Sequence, residues 1–307
     1  MKFLLARIIG NSLPPRHNSG QTVDNLRFLL ENEPTEKCFK KVFIVNRIFN
    51  LSERNEVLEL LREFDAEYVE IPFSLSEYKK VSISEDELLV NRLAKPSAYS
   101  RSLANDIERI DQIESVAKNR KKIIYAMNNN GARNFVIRKY RNDYNWVLPL
   151  DGNCYFQNSS LEVLKNELLN SDTLDKCFVL PMFRLGNNIN PLTAVHSSLT
   201  PCEPQLIFGS KTKFLFDEDR PYGRRPKVDL LMRLGVPGAW DNWEYPPWEK
   251  HSDLESVYRG KFSYSKSWVF RLKSGEDCQE IGKEPWVSRA KARDSAILRV
   301  LAELDQR

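Results

Sequence analysis

Asn129-Asn130-Gly131-Ala132-Arg133-Asn134, followed shortly by Trp146-Val147-Leu148-Pro149-Leu150-Asp151-Gly152-Asn153, decides how this chain folds. The first stretch is a glycine turn running into a predicted helix, Phe135-Val136-Ile137-Arg138-Lys139-Tyr140. The second is an apolar run that stops on an acid. An open α/β sheet presents ligand and metal sites in this way, by carrying a carboxylate to the carboxyl end of a buried strand.

The sequence upstream supports a sheet of that kind. Residues 3–9 read as a buried strand, and Lys41-Val42-Phe43-Ile44-Val45-Asn46 and Tyr68-Val69-Glu70-Ile71-Pro72-Phe73 as two more. Between them, Asp24–Glu33 and the stretch after Ser52 (Val57, Leu58, Leu60, Leu61, Phe64) have helical periodicity, with Ser52 the expected cap. This βαβαβ succession predicts a parallel sheet covered by helices. Further strands are expected at Lys121–Met127, Cys177–Phe183 and Gln205–Phe208, and helices at Ser159–Leu169 and Ser288–Leu304. Residues 74–120 read as an insertion of helices and loops, and residues 236–307 as a C-terminal embellishment. The expectation is one domain over 1–307.

Composition narrows the class. An apolar share of 41% and a charged share of 29% are those of an ordinary globular protein, and a net charge of +4 is too small to argue for nucleic acid. Cys38, Cys154, Cys177, Cys202 and Cys278 are odd in number and irregular in spacing, so reduced thiols and a cytoplasmic chain, in solution or peripheral to a membrane, are expected. Arg7 splits the apolar start of the chain, leaving no signal-peptide core, and no run of about 18 apolar residues predicts a membrane span. His17, His196 and His251 are isolated, and no Walker loop, nucleophile elbow or Rossmann glycine fingerprint is present.

Turn, helix and strand ending in Asp-x-Asn resemble the central segment of family 2-like glycosyltransferases of the GT-A fold, a Rossmann-like, mainly parallel sheet sandwiched by helices. There a Gly-x-x-x-Ala-Arg-Asn-like element precedes a strand ending in an Asp-x-Asp metal motif. Gly131, Arg133 and Asn134 match the first element, and Asp151 with Asn153 the second. The resemblance spans residues 1–235 and centres on 128–153. It implies an inverting transfer of sugar from a nucleotide-diphosphate sugar to the hydroxyl of a glycan or other acceptor. It also implies Mn²⁺ or Mg²⁺ at Asp151 and Asn153, bridging the donor diphosphate. Two departures stand out. Asn153 replaces the second aspartate, and Pro226 and Lys227 stand where the family has a Glu-Asp pair supplying the base, although Asp229 and Arg233 match the helix that follows.

Each candidate residue has an ordinary structural alternative. Asp151-Gly152-Asn153 is also turn chemistry, and the segment after Asn130 also reads as a capped helix start. Arg7, Asn11, Asn46 and Arg47 are donor contacts by position, at the ends of the first two strands. Asp229, Asp241 and Glu244 are the candidate bases, with a helix-dipole charge and a turn residue as the rival accounts of the first two. Arg220, Tyr222, Arg224, Arg225 and Lys227 form a basic loop that cradles a phosphate or an anionic acceptor, or is simply solvated. One or two of Trp240, Trp243, Trp248, Trp268 and Trp286 are expected to stack on sugar; the rest are core. Two rival functions remain, a non-catalytic GT-A-like domain binding glycan or nucleotide, and a nucleotidyltransferase lacking its usual glycine- and lysine-rich loop.

Overall fold

The computed structural model describes residues 1–14, 17–83, 107–186, 188–223, 225–242, 257–272 and 284–307. Three strands and their helices open the chain: β1 (Phe3–Ile9), α1 (Gln21–Asn32), β2 (Phe39–Asn46), α2 (Leu51–Glu63) and β3 (Tyr68–Ile71). Among the described residues the helices α3 (Leu75–Lys80), α4 (Ile107–Lys118), α5 (Arg120–Met127) and α6 (Asn129–Tyr140) follow. Then come β4 (Trp146–Asp151), β5 (Cys154–Tyr155), α7 (Asn158–Leu169), β6 (Cys177–Arg184) and β7 (Pro201–Gly209). The described chain closes with α8 (Val228–Leu234), β8 (Phe262–Tyr264), β9 (Val269–Arg271) and α9 (Glu284–Gln306).

The strands form one sheet in the order β3-β2-β1-β4-β7-β6-β9-β5, with β8 also paired to β6. β1 is parallel to both β2 and β4, and β2 is parallel to β3. β7 runs against its neighbours β4 and β6, so β6 points the same way as β4, and β8 and β9 follow it. The α/β class and the mostly parallel sheet are therefore as expected. Asp151 registers opposite Ile8, at the carboxyl end of β1.

Alternation along the strands sets the layers. Phe3 and Leu5 join Trp146, Leu148 and Leu150 against Leu161, Leu164 and Leu168 of α7. On the same side, Ile9, Phe43 and Val45 pack with Leu26 of α1 and Val57 and Leu61 of α2. Leu4, Ala6, Val42, Ile44 and Val147 face the other way, onto Val136 and Tyr140 of α6.

Three local expectations are corrected. Lys121–Met127 is helical rather than a strand: Ile123, Ala126 and Met127 are buried at a helical period, and a short apolar run does not declare its own type. Asn50, not Ser52, caps α2, its side chain accepting from the Ser52 and Glu53 amides. The glycine turn at 129–134 is already helix. Asn128 takes the left-handed conformation (φ 46°) and both ends α5 and begins α6, so Asn130 is not the cap. A Cβ at Gly131 would meet the Asn128 side chain, which would then have to shift from its hydrogen bond to Asn46.

The described residues around the insertion pack on the C-terminal helix. Val116, Ile123, Ala126 and Tyr78 pack against Ala296, Ile297, Val300 and Leu301 of α9. Arg109 meets Asp294 at 2.8 Å, both buried, and Lys122 meets Asp305 at 2.7 Å. Among the described cysteines, Cys38, Cys154, Cys177 and Cys202 are free thiols. No described helix is long and apolar enough to cross a membrane.

One charge runs through the middle of the sheet. Arg7 is 1% exposed, its Nε donates to the Cys154 carbonyl at 2.9 Å, and its Nη2 pairs with Glu33. Glu33 also accepts the Phe156 amide at 3.1 Å and lies 3.3 Å from Lys41 Nζ. Burial lowers the Lys41 pKa, against the pull of Glu33. A buried charge stripped of its partner is expensive. Glu33→Ala is therefore expected to lower stability by about 3–5 kcal/mol in urea denaturation. A loss under about 1 kcal/mol would show that the pair is not holding β1 to β5.

Candidate functional site

The site is built at the rim where β4 ends. Gly152 lets the chain turn sharply after Asp151, for a Cβ there would stand 2.6 Å from the Ile8 carbonyl oxygen. Asp151 Oδ1 accepts from Arg133 Nη2 at 2.6 Å, and Oδ2 from Gln205 Nε2 at 2.9 Å. Lys227 Nζ, 3% exposed, lies 3.4 Å from Oδ2 and 3.3 Å from Glu203 Oε1. Arg133 is oriented by Asn130 Oδ1 at 2.8 Å, and Asn130 itself donates to the Asp217 and Pro226 carbonyls at 2.7 Å. The first turn of α6 thus ties Asp151 to the 217–227 loop.

The electrostatics follow from these contacts. Burial opposes the Asp151 charge, yet Lys227, Arg133 and the Gln205 hydrogen bond reverse it and hold the carboxyl well below the usual carboxylate range. Arg271, at the end of β9, shows the converse. Burial opposes its charge, but Asp151 together with Cys202, Tyr222 and Cys154 outweighs that and raises its pKa. Cys154 sits under the cluster, its thiol pushed up to about 12 by burial and by Asp151.

Arg47, Gly131, Arg220 and Tyr222, four of the predicted contacts, line one cavity of about 250 Å³ with Lys121 and Asn128. Arg47 holds a left-handed backbone (φ 45°), donates to the Tyr125 carbonyl at 2.6 Å and stacks its guanidinium 4.1 Å from the Tyr125 ring centre. Gly131 lies in the α6 turn that also carries Arg133, so cavity and Asp151 cluster share a wall.

Other candidates have structural duties. Arg7 is spent on Glu33 and does not reach the rim. Asn11 brackets two loops, donating to the Arg47 carbonyl at 2.8 Å and accepting the Phe49 amide at 2.9 Å. Asn46, 1% exposed, donates to the Met127 carbonyl and accepts from Asn128. Asn134 fixes the backbone at Phe216 from both sides. Asp229 is 2% exposed and clamped by Arg220 at 2.8 Å and Arg233 at 2.9 Å. Asp241 is exposed and accepts the Gly238 amide of its own turn at 2.9 Å. Arg225, half-buried, has a left-handed backbone (φ 56°), and its carbonyl accepts the Asp229 amide. Trp240 is core, while Trp268 stacks on His196 at 3.9 Å. Arg224, Glu244, Trp243 and Trp248 lie outside the described residues, as does the side chain of Trp286.

Sequence reading missed Glu203, Gln205 and Arg271. The signal for the first two was polar residues two apart at the head of an apolar strand, hence on one face. The signal for Arg271 was a short apolar run, Val269-Phe270, ending on a charge as β4 does.

The divalent cation implied by the resemblance does not fit these neighbours. Both Asp151 oxygens are hydrogen-bonded, and the charges nearest to them are cations. The Asn153 amide donates to the Leu272 carbonyl at 3.2 Å. Among the described residues no three His, Cys, Asp or Glu side chains come together. Searched against known protein families and against curated proteins, the chain matches none.

The depressed Asp151 pKa carries a testable pH dependence. A carboxylate ionised more easily folded than unfolded stabilises the fold fully above its unfolded pKa of about 3.9, and that stabilisation fades as pH falls toward the folded value. Asp151→Asn should lower stability by about 1–3 kcal/mol at pH 7, less than for a fully buried pair because the side chain is 27% exposed. Urea titrations should show the gap from wild type constant down to about pH 4 and narrowing below it. A gap that widens in acid would contradict the assignment.

Proposed function

We propose that the chain is a glycosyltransferase of the GT-A type, taking its sugar from a nucleotide-diphosphate donor. The supporting observation is the reach of Arg133, from the first turn of α6, to Asp151 at the tip of β4, with Lys227 close to the other carboxylate oxygen. Helix α6, strand β4 and the acid at its tip support the reading, and a cavity of about 250 Å³ lies beside them.

In this reading the donor lies along the rim, its nucleotide toward Arg47 and Tyr222 and its diphosphate toward Lys227. The acceptor hydroxyl attacks the anomeric carbon as the carbon–oxygen bond to the diphosphate breaks, and the electron pair leaves with the phosphate oxygen. The hydroxyl proton must pass to a base within hydrogen-bond reach. Glu203 replaces Asp229 in that role. β7 runs against β4, so its amino-terminal end meets the same rim, and Glu203 lies there, partly exposed, beside Lys227.

The locked state of Asp229 favours one second reading, a domain that binds a nucleotide or glycan without turnover. Release of nucleoside diphosphate from a panel of nucleotide sugars, with free sugars or glycans as acceptors, separates the two. Glu203→Gln should cut turnover by about 10²–10⁴-fold and spare donor binding. Full activity in that variant with loss in Glu244→Gln would move the base to Glu244. Binding without release for every donor would leave the binding domain.

A further inference from the structure

Four cationic side chains gather at the rim around two carboxylates. Arg133 and Lys227 contact Asp151, Lys227 also contacts Glu203, and Arg271 is held in its charged form by Asp151. Arg184 registers opposite Arg271 across β6 and β9, and Lys227, Arg184, Arg271 and Glu203 all bear on the Cys202 thiol. Arg133, Lys227 and Arg271 alone outnumber Asp151 and Glu203 by one charge. Within that group Lys227 is only 3% exposed, and the Arg271 Nε is buried with no hydrogen-bond partner among the described residues. Charges withdrawn from water need opposite charge close by, and this group has too little of its own.

We propose that these cations, with Lys227 foremost, bind the donor's diphosphate directly and that no divalent metal is used at Asp151. The inference rests on the donor-binding part of the reading above. Lys227 has three hydrogen-bond donors on a flexible stem, and it already spans Asp151 and Glu203. A phosphate oxygen takes one of those donors, while Arg133 and Gln205 keep Asp151 in place. Asp151 is then a positioning residue, fixing the arginine and lysine that meet the phosphates. As the bond to the anomeric carbon breaks, negative charge grows on the departing diphosphate beside Lys227, the task a bound cation performs in metal-dependent enzymes. A divalent cation entering here would have to displace a lysine and face two arginines.

The test is calorimetric binding to the full chain, with inorganic pyrophosphate as a base-free probe and UDP, GDP, ADP and dTDP as nucleotides, in EDTA and in Mn²⁺. Affinity for the tightest probe should agree within about threefold between the two conditions. Lys227→Ala should weaken binding by about tenfold or more, and Lys227→Arg should restore most of it, with circular dichroism confirming both folds. The wild-type comparison with and without metal needs no variant to fold. The inference is overturned by binding about tenfold tighter in Mn²⁺. It is equally overturned by Mn²⁺ binding alone that disappears in Asp151→Ala, or by no binding of any probe. Turnover that requires Mn²⁺ would sink it and leave the transferase reading standing. Metal-free binding without turnover would do the reverse.

Discussion

The ionised carboxylate of Asp151 is the constraint on which the rim depends. Remove its charge and Arg133 and Lys227, both almost wholly buried, lose the carboxylate they share, and Lys227 keeps only Glu203. Four separate elements are held together through this one group: β4 by the residue itself, α6 through Arg133, β7 through Gln205, and the 217–227 loop through Lys227. Few single side chains can do this, and a carboxylate can because its two oxygens accept several strong hydrogen bonds at once. The cavity beside it inherits its shape from the same α6 turn, since Asn130 anchors that turn to the loop and Gly131 forms its wall.

A second arrangement of charge supports the first from below. Arg7 and Glu33 lie inside the sheet layer and join β1 to the strand after Asp151 through the Cys154 carbonyl and the Phe156 amide. The short strand β5 therefore has its position set from beneath by Arg7 and from the side by β9. Arg271 leaves β9 at that register, opposite Cys154, which is how a residue distant in sequence comes under the electrostatic influence of Asp151. Structural and candidate functional charges are thus adjacent but separate: Arg7 faces inward to an acid of its own, and Arg271 faces the rim.

The strands were legible because buried parallel strands are written as apolar runs: Trp146–Leu150 and Cys177–Phe183 are unbroken, and Phe3–Ile9 is interrupted only by Arg7. The strand misread at 121–127 had the same apolar density but helical spacing, and Ala126 and Met127 favour a helix. Asp151 and Arg133 were legible because the acid ends its run abruptly and the arginine follows a glycine. The duties of Arg7, Asn11, Asn46 and Asn134 were not, because position at a strand end says where a side chain begins, not which partner claims it. Glu203 and Arg271 were hidden for another reason: their strands join the sheet out of sequence order, so nothing local announces that they come near the Asp151 rim.

The two departures from the glycosyltransferase pattern read, in three dimensions, as one. Where the resembling enzymes have an acid pair before the helix that carries Asp229, this chain has Pro226 and Lys227; where they have a second aspartate after β4, it has Asn153. Lys227 is the residue that reaches Asp151 and Glu203. A second acid at 153 would add negative charge that a divalent cation needs, but a lysine brought to the same place supplies positive charge and makes that acid superfluous. The amide at 153 is then free to serve the backbone, and it does so at Leu272, next to Arg271. On the proposed transferase reading, the base absent from the 226–227 position is supplied by Glu203, which lies 3.3 Å from the same lysine. On that reading, the lysine at 227 connects the amide at 153 with the acid on β7, because it lies 3.4 Å from Asp151 and 3.3 Å from Glu203.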